Sequence, residues 1–181
     1  MRVITGTARG RKLKTLEGLE TRPTAAMVKE AVFSIIHFRL PYASVLDLFA
    51  GSGQMGIEAL SRGASKAVFV DNSRKAQEII KDNLNTVGLM KQSRVIADDA
   101  VSFLTHAAET YDIIFLDPPY DLGYVPKLMP LLGRCLAPEG IVLFEHRKGE
   151  PMPETAGELR LKKQYIYGKT AVTTYEKAPA E

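Results

Sequence analysis

The chain has 181 residues, 45% hydrophobic and 25% charged, enough for one well-buried domain and too ordinary in composition for a disordered, fibrous or disulfide-built protein. Its single cysteine, Cys135, leaves neither an internal disulfide nor a cysteine metal site, and only Val3-Ile4 precede the first polar residues, so no signal peptide, no membrane span and a cytoplasmic location are expected. The net charge of +3 hides an asymmetry: Arg2, Arg9, Arg11, Lys12, Lys14, Arg22 and Lys29 face only Glu17 and Glu20 in the same stretch, which points to a polyanionic partner such as nucleic acid.

Taken in order, residues 1 to about 22 hold two strand-like stretches, Arg2–Thr5 and Lys12–Lys14, separated by Gly6-Thr7-Ala8-Arg9-Gly10. The glycines mark turns, so a small basic hairpin or a mobile arm is expected. Thr24 reads as the N-cap of a helix that is regular from Ala25, with Pro23 just outside. Val28, Ala31, Val32, Ile35 and Ile36 then form one amphipathic stripe, which Pro41 ends.

From Ser44 strands alternate with helices. The strands are Ser44–Phe49, Lys66–Asp71, Arg94–Asp98, Tyr111–Asp117 and Ile141–His146; the helices are Gln54–Arg62, Ser73–Val87 closed by Gly88, Ala100–Ala108, and one around Tyr124–Leu136 strained by Pro130. Short βα repeats imply a doubly wound parallel sheet with right-handed crossovers. Leu159–Tyr167 and Ala171–Tyr175 flank Gly168-Lys169 and read as a hairpin closing one edge.

Gly51, Gly53 and Gly56 satisfy G-x-G-x-x-G, so a dinucleotide must be weighed. The neighbouring acids argue against it: Asp47 ends the first strand, Asp71 the second, and Asp98-Asp99 the third. A pyrophosphate seeks backbone N–H groups and a helix N-terminus without carboxylates nearby. S-adenosylmethionine, with its ammonium, its sulfonium and two ribose hydroxyls, suits an acid-rimmed crevice. Asp47 with the loop Phe49-Ala50-Gly51-Ser52-Gly53 is assigned to its methionine end, Asp71-Asn72 to its ribose, and Asp99-Ala100 to its adenine. One of Asp98 and Asp99 is expected to cap the following helix.

Ile113-Ile114-Phe115-Leu116 reads as a strand buried on both faces, and Asp117-Pro118-Pro119-Tyr120 leaves it at the carboxyl end, where open α/β sheets bind ligands. Neither proline can donate a ladder hydrogen bond, so the chain departs extended and stiff. Methylating an exocyclic amino group is hindered because the nitrogen lone pair is delocalised into the ring. The Asp117 carboxylate and the Pro118 carbonyl can hold such an NH2 in line with the donor methyl, and Asp117 can take the departing proton. Pro119 stiffens the turn, and Tyr120 offers a face for a flipped base.

Asp47–Gly53 and Asp117–Tyr120 resemble the motifs of class I amino-group methyltransferases. With Arg9-Gly10-Arg11-Lys12-Leu13 and Arg22-Pro23-Thr24, in this order and spacing, the chain is similar over nearly its whole length to the bacterial RsmD family. That resemblance implies a Rossmann-like, mostly parallel seven-stranded sheet of order 3-2-1-4-5-7-6 with an antiparallel C-terminal hairpin. It also implies methyl transfer from S-adenosylmethionine to a guanine N2 of 16S ribosomal RNA, naked or in a small-subunit assembly intermediate. Residues 1–23 would be an RNA-contacting arm and 24–181 the methyltransferase domain, with RNA contacts from Arg9, Arg11, Lys12, Arg22 and Thr24. A monomer without metal is expected.

The rival enzyme is an adenine-N6 methyltransferase of DNA or RNA, disfavoured for DNA because so short a chain leaves no separate target-recognition domain. A non-catalytic RNA-binding module is the alternative of another class, and a dinucleotide oxidoreductase comes last. His37, His106 and His146 have no metal-ligand spacing, Ser52 lacks a G-x-S-x-G frame, and Arg147-Lys148 could touch substrate phosphates. Tyr165, Tyr167 and Tyr175 alternate as core strand residues do.

Overall fold

In chain order the elements are α1 (Pro23–Ile35), β1 (Ser44–Leu48), α2 (Gln54–Ser61), β2 (Lys66–Asp71), α3 (Arg74–Val87), β3 (Ser93–Ala97), α4 (Ala100–His106), β4 (Tyr111–Leu116), α5 (Tyr124–Cys135), β5 (Leu136–Arg147), β6 (Thr155–Ala156), β7 (Leu159–Tyr167) and β8 (Thr170–Lys177). The computed structural model describes residues 1–17 and 23–179. Arg22 lies outside the described residues. Among them, no helix is long and apolar enough to cross a membrane.

The sheet order is β3-β2-β1-β4-β5-β8-β7-β6. β1 to β5 pair in parallel, and β8, β7 and β6 join by antiparallel pairing. The expected order of seven is present, with a short eighth strand, β6, added at the edge. Alternate strand residues face opposite layers, as the two-residue period requires. Val45, Phe69, Ile113, Phe115 and Leu143 pack with Val28, Val32, Phe33 and Ile57 beneath α1 and α2. Leu46, Val68, Ile114, Leu116 and Phe144 pack with Leu104, Leu128 and Leu132 beneath α4 and α5.

Two boundaries differ from expectation for identifiable reasons. α1 begins at Pro23, so Thr24 lies inside its first turn and is not its cap. Proline is well placed there, because the N–H it lacks would have no partner in the first turn. β5 starts at Leu136, which pairs with Tyr111 before the register jumps to Ile113 opposite Ile141. The intervening Ala137-Pro138-Glu139-Gly140 reads as a loop but is carried as an irregularity within the strand.

The N-terminal segment is a hairpin reduced to a single bridge, Arg2 with Lys12. Side chains on the helices fix its backbone. Glu58 accepts from Ile4 N at 2.9 Å and Thr5 N at 3.0 Å, Ser61 Oγ accepts from Ala8 N at 2.9 Å, and Asn83 Oδ1 accepts from Lys14 N at 2.7 Å. In the structure the segment is a docked layer on α2 and α3.

Candidate active site

β1, β2, β3 and β4 end side by side, and the loops that follow them enclose a cleft of about 710 Å³. Phe49, Ala50, Gly51 and Ser52 line it from the first loop, Asp71 and Asn72 from the second, Asp98, Asp99 and Ala100 from the third, and Asp117, Pro118, Pro119 and Tyr120 from the fourth. Met1, Thr15 and Leu16 of the docked segment and Ala25 of α1 complete the wall. All four residues expected to be catalytic thus share one cleft with eight of those expected to hold the cofactor; Asp47 and Gly53 lie outside its lining.

The first loop is shaped by residues in the left-handed region: Phe49 at φ 59°, Gly51 at 58° and Gly53 at 79°. For phenylalanine that conformation costs on the order of 1–3 kcal/mol. Its ring is held edge-on against Tyr124 at a centroid distance of 4.9 Å, which links the first loop to the start of α5. The third glycine of the pattern serves packing: a Cβ on Gly56 would lie 2.4 Å from the Phe69 ring, so only glycine lets α2 approach β2 this closely.

Asp47, Asp71 and Asp99 each have work inside the protein. Asp47 Oδ2 accepts from Gly56 N at 3.0 Å and so satisfies a first-turn N–H of α2. Asp71 ties two loops together, Oδ2 accepting from Gly51 N and Oδ1 from Ser73 N, both at 2.9 Å. Asp99 is the acid that caps a helix, Oδ1 accepting from Val101 N at 2.9 Å and Ser102 N at 3.1 Å. Its other oxygen remains available to the cleft, since a carboxylate has about four acceptor positions.

Beneath the cleft, on the α1 side of the sheet, lies a cavity of about 100 Å³ lined by Asp47, Asp117 and Glu145 together with Lys29, Gln54, Phe115 and Leu143. Asp47 is buried, and loss of hydration pushes its carboxyl up to about 8 against the opposing Gly56 N–H. Asp117 opens onto the cleft, yet the protein crowding its carboxyl removes enough hydration to push it up to about 6. Burial, then the Asp117 charge, pushes Glu145 up to about 8. Sequence reasoning missed Glu145. The available signal is an acid closing the apolar run Ile141-Val142-Leu143-Phe144, as Asp117 closes Ile113-Ile114-Phe115-Leu116.

The basic arm is less exposed than its composition suggests. Lys29 is buried with Nζ 3.1 Å from Glu58 Oε2, and Arg62 Nε lies 3.0 Å from the other Glu58 oxygen, so Lys29 adds nothing to a surface field. Arg9, Arg11 and Lys12 are exposed, with an Arg11 guanidinium N–H donated to the Thr86 carbonyl. The Gly6–Gly10 turn docks at Ser61, the C-terminal end of α2, whereas the cleft is at its N-terminal end. Eight helical residues separate the two by about 12 Å. The structure therefore does not bring Arg9 and Arg11 to the cleft. Tyr175 is buried and donates to the Pro153 carbonyl at 2.8 Å, while Tyr165 and Tyr167 are half-buried on β7.

The family model "Conserved hypothetical protein 95" matches residues 1–176. "Putative rRNA methyltransferase YlbH" of Bacillus subtilis (strain 168) is 42% identical over 182 residues, covering 98% of this chain and 99% of that protein. "Ribosomal RNA small subunit methyltransferase D" of Escherichia coli (strain K12) is 32% identical over 179 residues, covering 98% and 90%. Among solved structures, "Putative methyltransferase yhhF from Escherichia coli" superposes with a TM-score of 0.88 at 33% identity, covering 98% of this chain and 97% of that one.

Proposed function

The chain belongs to the conserved hypothetical protein 95 family, the RsmD family, and from that premise we propose that it is an S-adenosylmethionine-dependent methyltransferase acting on the exocyclic N2 of a guanine in 16S ribosomal RNA. The observation that carries the reading is the acid-rimmed cleft: Asp71, Asp98, Asp99 and Asp117 surround a glycine loop, an arrangement that favours a cationic ligand over a diphosphate.

S-adenosylmethionine, when bound, supplies an electrophilic methyl on a positive sulfur that departs as a neutral thioether. Phe49 to Gly53 cradle its methionine end, with Asp47 bracing that loop from beneath through α2. Asp71 and Asn72 accept from its ribose, and Asp99 and Ala100 meet its adenine. Asp117 and the Pro118 carbonyl accept the two N2 hydrogens of the target base, which aligns the nitrogen and draws it towards a pyramidal geometry. Asp117 then receives the proton that N2 sheds as its new bond to carbon forms. Tyr120 stacks on the flipped base. The partner is 16S rRNA, free or in a small-subunit intermediate; the protein acts as a monomer, Arg9, Arg11 and Lys12 extend the RNA contact away from the cleft, and Arg22 and Thr24 are further RNA contacts.

The test is tritium transfer from labelled S-adenosylmethionine to small ribosomal subunits lacking the modification, followed by nucleoside mapping. N2-methylguanosine is expected; N6-methyladenosine, or no transfer, would overturn the reading.

A further inference from the structure

A carboxylate and a proline carbonyl can grip any exocyclic amino group, so Asp117 and Pro118 do not by themselves distinguish guanine N2 from adenine N6. The two bases differ at the adjoining ring atom. N1 of guanine carries a hydrogen next to the N2 amino group, whereas N1 of adenine presents a lone pair next to N6. A site that selects guanine therefore needs a second acceptor beside the one that holds the amino group.

Such an acceptor is present one strand away. In the parallel register of β4 and β5, Phe115 faces Leu143 and Leu116 faces Phe144, and extending that register by one residue sets Asp117 level with Glu145. Both line the cavity on the α1 side of the sheet, which meets the cleft at Phe49, Ala50 and Asp117. Among the described residues, the Glu145 carboxylate has no hydrogen-bond donor and no cation; Lys29, in the same cavity, is committed to Glu58 at 3.1 Å. A half-buried carboxylate without donors carries a desolvation cost that a ligand N–H would relieve.

We propose that Glu145 accepts the N1–H of the flipped guanine while Asp117 accepts from N2, and that this second acceptor makes the site choose guanine over adenine. The inference rests on the guanine-N2 reading above. Bound guanine supplies the donor that Glu145 lacks. Adenine, with a lone pair at N1, has no hydrogen there for Glu145 to accept.

2-Aminopurine tests this directly, because it keeps the amino group at position 2 but has no hydrogen on N1. Once the methylated nucleotide is mapped, small-subunit RNA carrying guanine or 2-aminopurine there is compared as substrate for the full chain and for Glu145→Ala and Glu145→Gln. The wild type should prefer guanine in kcat/KM by about 10- to 100-fold. In Glu145→Ala that preference should collapse several-fold towards unity, with affinity for S-adenosylhomocysteine unchanged as the check on folding. Glu145→Gln, which keeps an acceptor oxygen and nearly the same volume, should fall between them. A guanine preference unchanged in both variants overturns the proposal while leaving the guanine-N2 reading intact; failure of the wild type to methylate guanine at all overturns that reading instead.

Discussion

Glu58 on α2, Asp117 just past the end of β4 and Glu145 level with it on β5 are all withdrawn from bulk water to some degree, and they are provided for in opposite ways. Glu58 is fully buried and receives two backbone N–H groups, from Ile4 and Thr5, and two cations, Lys29 and Arg62. Asp117 and Glu145 receive no cation among the described residues; loss of hydration raises both, and the Asp117 charge raises the cost of ionising Glu145 further. The first set joins the N-terminal segment, α1 and α2 into one layer, its one carboxylate more than balanced by two cations. The second keeps its acceptor capacity, at a cost in stability, for something outside the protein. A carboxylate fully buried among its partners marks architecture here, and carboxylates left without donors mark the site of chemistry.

Asp117→Ala should cut turnover by about 10²–10⁴-fold with cofactor affinity near normal, measured by methyl transfer and by titration with S-adenosylhomocysteine. In the wild type, turnover should fall as pH drops through about 6, because the carboxyl that must accept a proton is then already protonated. Unchanged turnover in the alanine variant would remove Asp117 from the chemistry.

Glu58→Ala should cost about 3–5 kcal/mol in denaturant unfolding, because it leaves Lys29 buried without a counter-charge and two backbone N–H groups without acceptors. A loss below about 1 kcal/mol, the level of an exposed ion pair, would mean that Glu58 is not the architectural half of the contrast.

Glu145→Gln should shift stability in the opposite sense. A carboxyl whose folded pKa is raised from 4.5 to about 8 binds its proton more tightly when folded. The wild type therefore loses stability as pH rises from about 4.5 through 8, and the loss is constant above that. The glutamine variant should gain on the wild type across that window and match it near pH 4, by a modest amount because Glu145 is only partly buried. Parallel pH curves for the two proteins would show that Glu145 carries no such penalty.

The mildest effect on the chemistry belongs to the arm. Replacing Arg9, Arg11 and Lys12 with alanine should weaken RNA binding and reduce its logarithmic salt slope by about one for each cation that touches phosphate, leaving kcat unchanged because these residues sit at the far end of α2 from the cleft. An unchanged slope would mean that RNA docks elsewhere.

The same contrast explains what could be read from sequence. The strand-end acids, the glycine loop and Asp117–Tyr120 are local signals, each a short run at the end of an apolar strand, and the sheet order follows from them with the alternation of elements. The Lys29–Glu58 pair joins residues on separate helices with no shared period, so Lys29 looked like one more surface cation. Asp47 reads as a cleft residue by position, but which way a strand-end side chain turns depends on the packing of α2, and here it turns to Gly56. Glu145 closes an apolar run as Asp117 does, but it lies inside β5, where antiparallel pairing with Val172 carries the strand two residues further. The docking of the N-terminal hairpin rests on side chains of α2 and α3, which no pattern within residues 1–17 reports.

Titration calorimetry of the wild-type protein against S-adenosylmethionine and, separately, NAD asks the cleft itself which charge it takes, since both ligands carry adenosine and differ in whether the remainder is cationic or a diphosphate. The acid-rimmed cleft predicts saturable one-site binding of S-adenosylmethionine and no detectable heat of binding with NAD. Binding of NAD without binding of S-adenosylmethionine would contradict it.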